Sequence, residues 1–188
     1  MSTALASGLR VEMRRSCRFC RRDWLGWLNA MMQAAAETAM LPGQGFGPRG
    51  SEDTAGRAPL ELGVELFVAG DGDIAEINAR NLGCSGPTNI LSFPGDGAML
   101  GTLFLSADTM EREAVLYGQD VKEHAIRLLA HGMGHIIGFD HGPEMDEFCS
   151  CLEEACLMEP ENDLCSARMN SFLDVRAGVV QSYWSFRK

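Results

Sequence analysis

Apolar and polar residues change rhythm along this chain in an order that outlines its elements. "LRVEMRR", from Leu9, alternates apolar and polar side chains with the period of a strand that has one buried face. "RDWLGWLNAMMQAAAETAML" carries its apolar residues at helical spacing and predicts a first helix ending before Pro42. Residues 41–60 are rich in Gly, Pro and small polar side chains, so they read as a flexible loop. "LGVELFVA" is a second strand, and "DGDIAEINARNL" is a helix with acids in its first turn. "TNILSF" is a short extended segment closed by Pro94, and "GDGAMLGTLFLS" is a turn running into another strand. Three helices follow: "ADTMEREAVLYG", "VKEHAIRLLAHGMGHIIG" and the acidic "PEMDEFCSCLEEACLM". The final stretch from Ser166 fits a helix or an extended tail equally well. Strands and helices mixed in this way predict an α+β fold, a small mixed sheet with helices packed on it.

Composition narrows the class without choosing a function. With 188 residues, 46% hydrophobic and 22% charged, the chain is expected to form one soluble domain with a core of its own. The start lacks the continuous apolar run of a signal peptide, and the richest apolar stretch is broken by Asn29, Gln33, Glu37 and Thr38. A cytoplasmic, non-membrane protein is therefore expected. Seven cysteines, an odd number, argue for free thiols over a secreted disulfide framework. The net charge of −10 speaks against simple nucleic-acid binding, but it is unevenly spread. Residues 10–22 hold six arginines against the single acid Glu12, while residues 139–163 hold nine acids and no lysine or arginine. That basic edge is either a solvated face or a phosphate-binding one.

The chemistry concentrates in "HGMGHIIGFDH", residues 131–141, which contains three of the chain's 4 histidines. His131 and His135, one helical turn apart, project from one face. Gly138 can end the helix in a left-handed turn, letting the chain fold back and bring His141 to the same point. Three neutral imidazoles with a fourth position free are the donor set of catalytic zinc, predicting one Zn2+ per chain. Gly132 and Gly134, each costing the helix about 1 kcal/mol against alanine, suggest that another backbone or a ligand approaches there. His124, alone on the same helix, reads as a satisfied core residue.

Three segments together resemble the YbeY family of bacterial metal-dependent endoribonucleases. "HGMGHIIGFDH" is similar to that family's H-G-x-x-H-x-x-G-x-D-H, and "INARNLGCSGPTNILSFP" to its segment ending P-T-[DN]-V-L-S-F-P. "LGTLFLSADTMEREA" sits where the family has a glycine-led strand followed by a helix. The resemblance implies a metal-dependent domain over residues 1–158 with a loop insertion near 41–60, and a C-terminal extension over 159–188. It also implies zinc on His131, His135 and His141, and cleavage of single-stranded RNA. The expected setting is maturation of the 3′ end of small-subunit ribosomal RNA and ribosome quality control, with small-subunit proteins as partners.

Departures and neighbouring residues give further expectations. Leu82 stands where the family has an arginine directed at RNA phosphate, and Arg80 can replace it only if the helix ends near Asn81. Thr102 stands where the family often has an aspartate, and Gly134 where leucine is usual, which predicts a looser metal helix. Arg14 and Arg18 are candidate RNA contacts on the basic edge. Thr88, Asn89 and Ser92 either line the cleft or satisfy the local backbone. Asp140 either orients a ligand imidazole or caps the following turn.

The histidines and Gly138 also align with H-E-x-x-H-x-x-G-x-x-H metalloproteases. Gly132 replaces their general-base glutamate, so a peptidase would need a base from Asp140 or Glu144. A non-catalytic ribosome-assembly factor is the remaining alternative.

Overall fold

The fold was obtained as a computed structural model that describes residues 8–37, 63–95 and 99–158. The expected loop insertion at 41–60 and the extension at 159–188 lie outside the described residues. Strand β1 (Leu9–Met13) leads to helix α1 (Arg21–Glu37), then β2 (Gly63–Ala69) and α2 (Asp71–Leu82). Strands β3 (Ile90–Pro94) and β4 (Met99–Ser106) follow, then α3 (Ala107–Tyr117), α4 (Val121–Ile137) and α5 (Pro143–Met158). The expected α+β architecture holds, and the elements fall where the apolar periodicity puts them.

The four strands lie in the order β1-β2-β4-β3. β1, β2 and β4 run parallel, and β3 pairs antiparallel with β4 as an edge strand. Alternation gives this sheet two different faces. One presents Val11, Val64, Leu66, Val68, Leu103 and Leu105 to α1, α3, α4 and α5, and forms the main core. The other is covered near its top by α2, where Ile74 packs with Ala69 and Leu91 while Phe93 and Phe104 stay partly buried. α1 owes its place to a helical stripe of Trp24, Leu28, Met31, Met32 and Ala35, all buried.

Side-chain caps start α3 and the helix that carries the first two histidines, α4. Ser106 accepts a hydrogen bond from the Thr109 N–H at the start of α3, and Asp120 accepts from the Lys122 and Glu123 N–H groups at the start of α4. α4 then lies across β3 and β4. A Cβ added at Gly132 would meet Ile90 Cδ1 at 2.7 Å, Leu103 Cδ2 at 3.0 Å and Ser92 Oγ at 3.3 Å. One turn on, Ile136 fills the space left by the missing side chain of Gly101. These contacts run the C-terminal half of α4 beside the edge strand.

Gly134 carries the close approach that the sequence suggested there. A Cβ there would meet Met145 Cε at 2.9 Å and Cγ at 3.4 Å, so the absent side chain is space that α5 occupies. Met145 is buried in that contact, and the glycine lets two helices approach closely.

Candidate metal centre

α4 ends in a turn that the sequence dictates. Gly138 adopts φ 104°, a conformation that disfavours any side chain, and donates its N–H to the Gly134 and His135 carbonyls. The Phe139 N–H reaches back to the Gly134 carbonyl at 3.0 Å. Together these bonds form the Schellman closure that satisfies the last carbonyls of a helix. The chain reverses there, and His141 comes back over His131 and His135.

The donor atoms of the three histidines lie within 4.8 Å of one another. Among the described residues this is the one cluster of three or more His, Cys, Asp or Glu donors close enough to share a cation. Ring centroids are separated by 4.6 Å for His131 and His135, 5.3 Å for His131 and His141, and 4.8 Å for His135 and His141.

Hydrogen bonding selects the reactive nitrogen of His135. Its Nδ1 lies 3.2 Å from the Phe139 carbonyl oxygen, which can only accept, so Nδ1 carries the proton. The neutral ring then directs a bare Nε2 lone pair toward His131 Nε2, 3.2 Å away. Zinc–nitrogen bonds of about 2.0–2.1 Å in a tetrahedron place neighbouring nitrogens about 3.3 Å apart. Two corners therefore already have the spacing of a zinc site. His141 is exposed on the turn and supplies the third, so the donor set fits a zinc ion with one open position. Burial, followed by repulsion from His135 and His141, lowers the His131 pKa below its ordinary value, opposed by Asp146. The neutral, ligand-competent form is favoured.

The other candidate residues divide between this centre and the rest of the surface. Ser92, on the face of β3 toward α4, places its hydroxyl against Gly132, the residue after His131 in the chain. Thr88 is half-buried in the loop before β3. The local backbone there is served by Asn89, whose Oδ1 accepts from the Ile90 N–H at 2.7 Å and whose Nδ2 donates to Glu113 at 3.1 Å. His124 is a satisfied core residue, with Gln119 at 2.8 Å and Glu113 at 3.2 Å. Asp140 is exposed, and the group that orients His135 is the Phe139 carbonyl. That acceptor belongs to the backbone, so residue type does not announce it.

Arg80 stays on α2, which continues to Leu82 before Gly83 turns left-handed, and it pairs with Glu76 one turn back. Leu82 is 56% exposed. Arg14 and Arg18 are exposed near the end of β1, on the sheet edge opposite β3. The Arg14 guanidinium lies 4.6 Å from the Phe67 ring centroid and bonds Glu12. Thr102 falls on the sheet face away from α4, so the missing carboxylate subtracts nothing from the histidine side. Cys17, Cys84, Cys149 and Cys151 are free thiols, and burial pushes Cys149 up to about 11.

Residues 51–157 match the family described as Endoribonuclease YbeY. The chain belongs to the YbeY family. Members named Endoribonuclease YbeY include one from Nitratidesulfovibrio vulgaris, 51% identical over 116 residues, a match spanning 50% of this chain and 72% of that protein. Another, from Oleidesulfovibrio alaskensis, is 41% identical over 114 residues, spanning 47% of this chain and 68% of its own. A solution structure from Thermotoga maritima superposes with a TM-score of 0.56 at 15% identity, covering 84% of this chain and 95% of that one. That likeness supports the fold. Among the described residues no helix is long and apolar enough to cross a membrane.

Proposed function

We propose that this chain is a single-strand-specific endoribonuclease using one zinc ion held by His131, His135 and His141. Its proposed work is cytoplasmic: maturation of the 3′ end of small-subunit ribosomal RNA and ribosome quality control, with small-subunit proteins as partners. The observation that carries the reading is the convergence of three imidazole donors, with His135 fixed in the tautomer that leaves Nε2 bare. Relatives named as endoribonucleases support RNA as the substrate class.

A bound zinc ion supplies Lewis-acid stabilisation of the charge that develops on a phosphodiester. The chain's own residues do the rest. The Phe139 carbonyl holds the His135 ring, and partial burial keeps His131 neutral. The Ser92 hydroxyl, with Thr88, offers hydrogen bonds to the strand next to the cluster. Asp140, exposed and adjacent to His141, is the carboxylate assigned to proton transfer. Because α2 stays helical through Leu82, Arg80 projects about 200° away from that position and does not take it over. It would meet phosphate only from the other side of the helix, by exchanging its exposed pairing with Glu76, a contact of small intrinsic strength. Arg14 and Arg18 engage the strand further from the cut.

Gly132 weighs against peptide hydrolysis. It stands where the metalloprotease motif has its general-base glutamate and carries no group that moves a proton, and a Cβ there would meet Ile90 and Leu103. Leu82, exposed where the family carries arginine, favours one second reading, an assembly factor in which zinc only orders the turn. Purified full-length chain is to be assayed on single-stranded RNA and on a peptide, with chelator and with zinc restored. Cleavage of RNA alone, lost with chelator and regained with zinc, is the expected result. A zinc-loaded chain that cuts no RNA would leave the assembly-factor reading, and peptide cleavage would revive the hydrolase one.

A further inference from the structure

Two glycines of α4 mark what lies on either side of the candidate metal ligands. A Cβ on Gly132 would meet Ile90 and Ser92 of the edge strand β3, and a Cβ on Gly134 would meet Met145 and Cys149 of α5. At about 100° per residue, His135 lies about 60° round the helix from Gly132, and His131 about 60° from Gly134. Both histidines therefore emerge between those two directions, into a groove with α4 as its floor and β3 and α5 as its walls. The walls differ in charge. α5 carries Glu144, Asp146, Glu147, Glu153 and Glu154 and no lysine or arginine, and Asp146 lies close enough to act on the charge of His131. β3 has no ionisable side chain.

The main chain of β3 supplies what its side chains lack. The Asn89 carbonyl accepts from the Ser106 N–H at 2.8 Å, and the Gly95 N–H donates to the Leu100 carbonyl at 2.9 Å. Bonded and non-bonded residues alternate in an antiparallel pair, so Leu91 and Phe93 also turn their backbone groups to β4. Ile90, Ser92 and Pro94 turn theirs to the other edge, where no strand follows among the described residues. The Ile90 N–H is taken by Asn89 Oδ1, and proline has no N–H. That leaves Ser92 as the residue of β3 with a backbone donor for the open edge, and its hydroxyl lies against Gly132 on the side of α4. Resting on the RNA reading above, we infer that the Ser92 N–H and hydroxyl together hold a phosphate oxygen of the RNA strand at this wall of the groove. Donors fixed by the fold and aimed at negative charge lose nothing to reorganisation when that charge arrives. The acidic wall of α5 repels the same phosphate, so the strand lies along β3.

Binding of a short single-stranded oligouridylate to the full-length chain tests this, with chelator present so that the strand stays intact, beside its cleavage by the zinc-loaded chain. Ser92→Ala removes the hydroxyl. Exchange of the Ser92 amide for an ester, by inserting the α-hydroxy acid form of serine, removes the N–H. Each is expected to weaken binding about ten- to 150-fold, the effect of losing one hydrogen bond to a charged group, and to slow cleavage as well. Zinc content should not change. The same ester at Leu91, whose N–H turns to β4, should lower the melting temperature more than the ester at Ser92. An ester at Ser92 that costs as much stability as one at Leu91 overturns the inference, because its N–H then serves the fold. Wild-type binding and cleavage in both Ser92 variants also overturn it and leave the nuclease reading standing. A loss confined to Ser92→Ala overturns the backbone contact. A wild-type chain that neither binds nor cuts RNA removes the nuclease reading, and this inference with it.

Discussion

His135 donates its Nδ1 hydrogen to the carbonyl oxygen of Phe139 across 3.2 Å, so a backbone atom sets the tautomer of a proposed zinc ligand. Phe139 is itself held, because its ring stacks on Phe148 of α5 with centroids 4.9 Å apart and planes at 21°. Phe148→Leu should loosen that carbonyl while leaving an apolar core. We predict a drop in zinc affinity of about tenfold, the lower end for losing a group that orients a metal ligand. Chelator competition measures it; unchanged affinity in a folded variant would remove Phe148 from the chain of support.

The contact of Gly134 with Met145 predicts a coupled pair. Gly134→Leu drives a side chain into occupied space and should cost about 1–3 kcal/mol. Met145→Ala alone should also destabilise, by opening a cavity. Combined, the two should cost clearly less than their sum, since each relieves the defect of the other. Urea denaturation of the four chains checks this, and strict additivity would mean that the helices do not meet there.

The lowered pKa of His131 gives a pH dependence whose sign can be worked out. Its folded value lies below the ordinary 6.5, so between the two values the unfolded chain binds more protons than the folded one. Metal-free protein should therefore lose stability as pH falls from 6.5 toward the folded pKa, and no further on this account below it. His131→Asn should flatten that slope in thermal melts of the metal-free chain. An identical slope in the variant would assign the dependence to other groups.

Arg80 and Glu76 provide a test of phosphate contact. If Arg80 serves the substrate, Arg80→Ala should reduce RNA cleavage by about tenfold, typical of one charge-assisted hydrogen bond. Glu76→Gln should raise it by releasing the guanidinium. Zinc content, measured by elemental analysis, should not change in either. Full activity in Arg80→Ala would move the contact elsewhere.

What was legible in the sequence was what is local. α2 could be read to the residue because acids open it and Gly83 closes it. The histidine cluster was readable because two donors share one helical turn and Gly138 returns the third. The order β1-β2-β4-β3 was not, since each parallel pairing joins segments remote in sequence. The close approach expected at Gly134 is present, but its partner could not be read for the same reason: Met145 belongs to another helix. Phe67 and Phe104 look like ordinary strand residues until the register puts them face to face.

The separation between local and remote contacts also bears on how the chain acquires its metal. All three histidines fall within residues 131–141, whereas β1 must find β2 by pairing Leu9 with Val64. Folding rates are governed by such distant pairings, since loop closure must precede the contacts that reward it. A cation captured by the helix and its turn cannot shorten that search. Zinc should therefore leave the refolding rate nearly unchanged and slow unfolding instead, a division that stopped-flow measurements with and without the ion would reveal. The ion would act as a latch on a finished structure, with little part in assembling it.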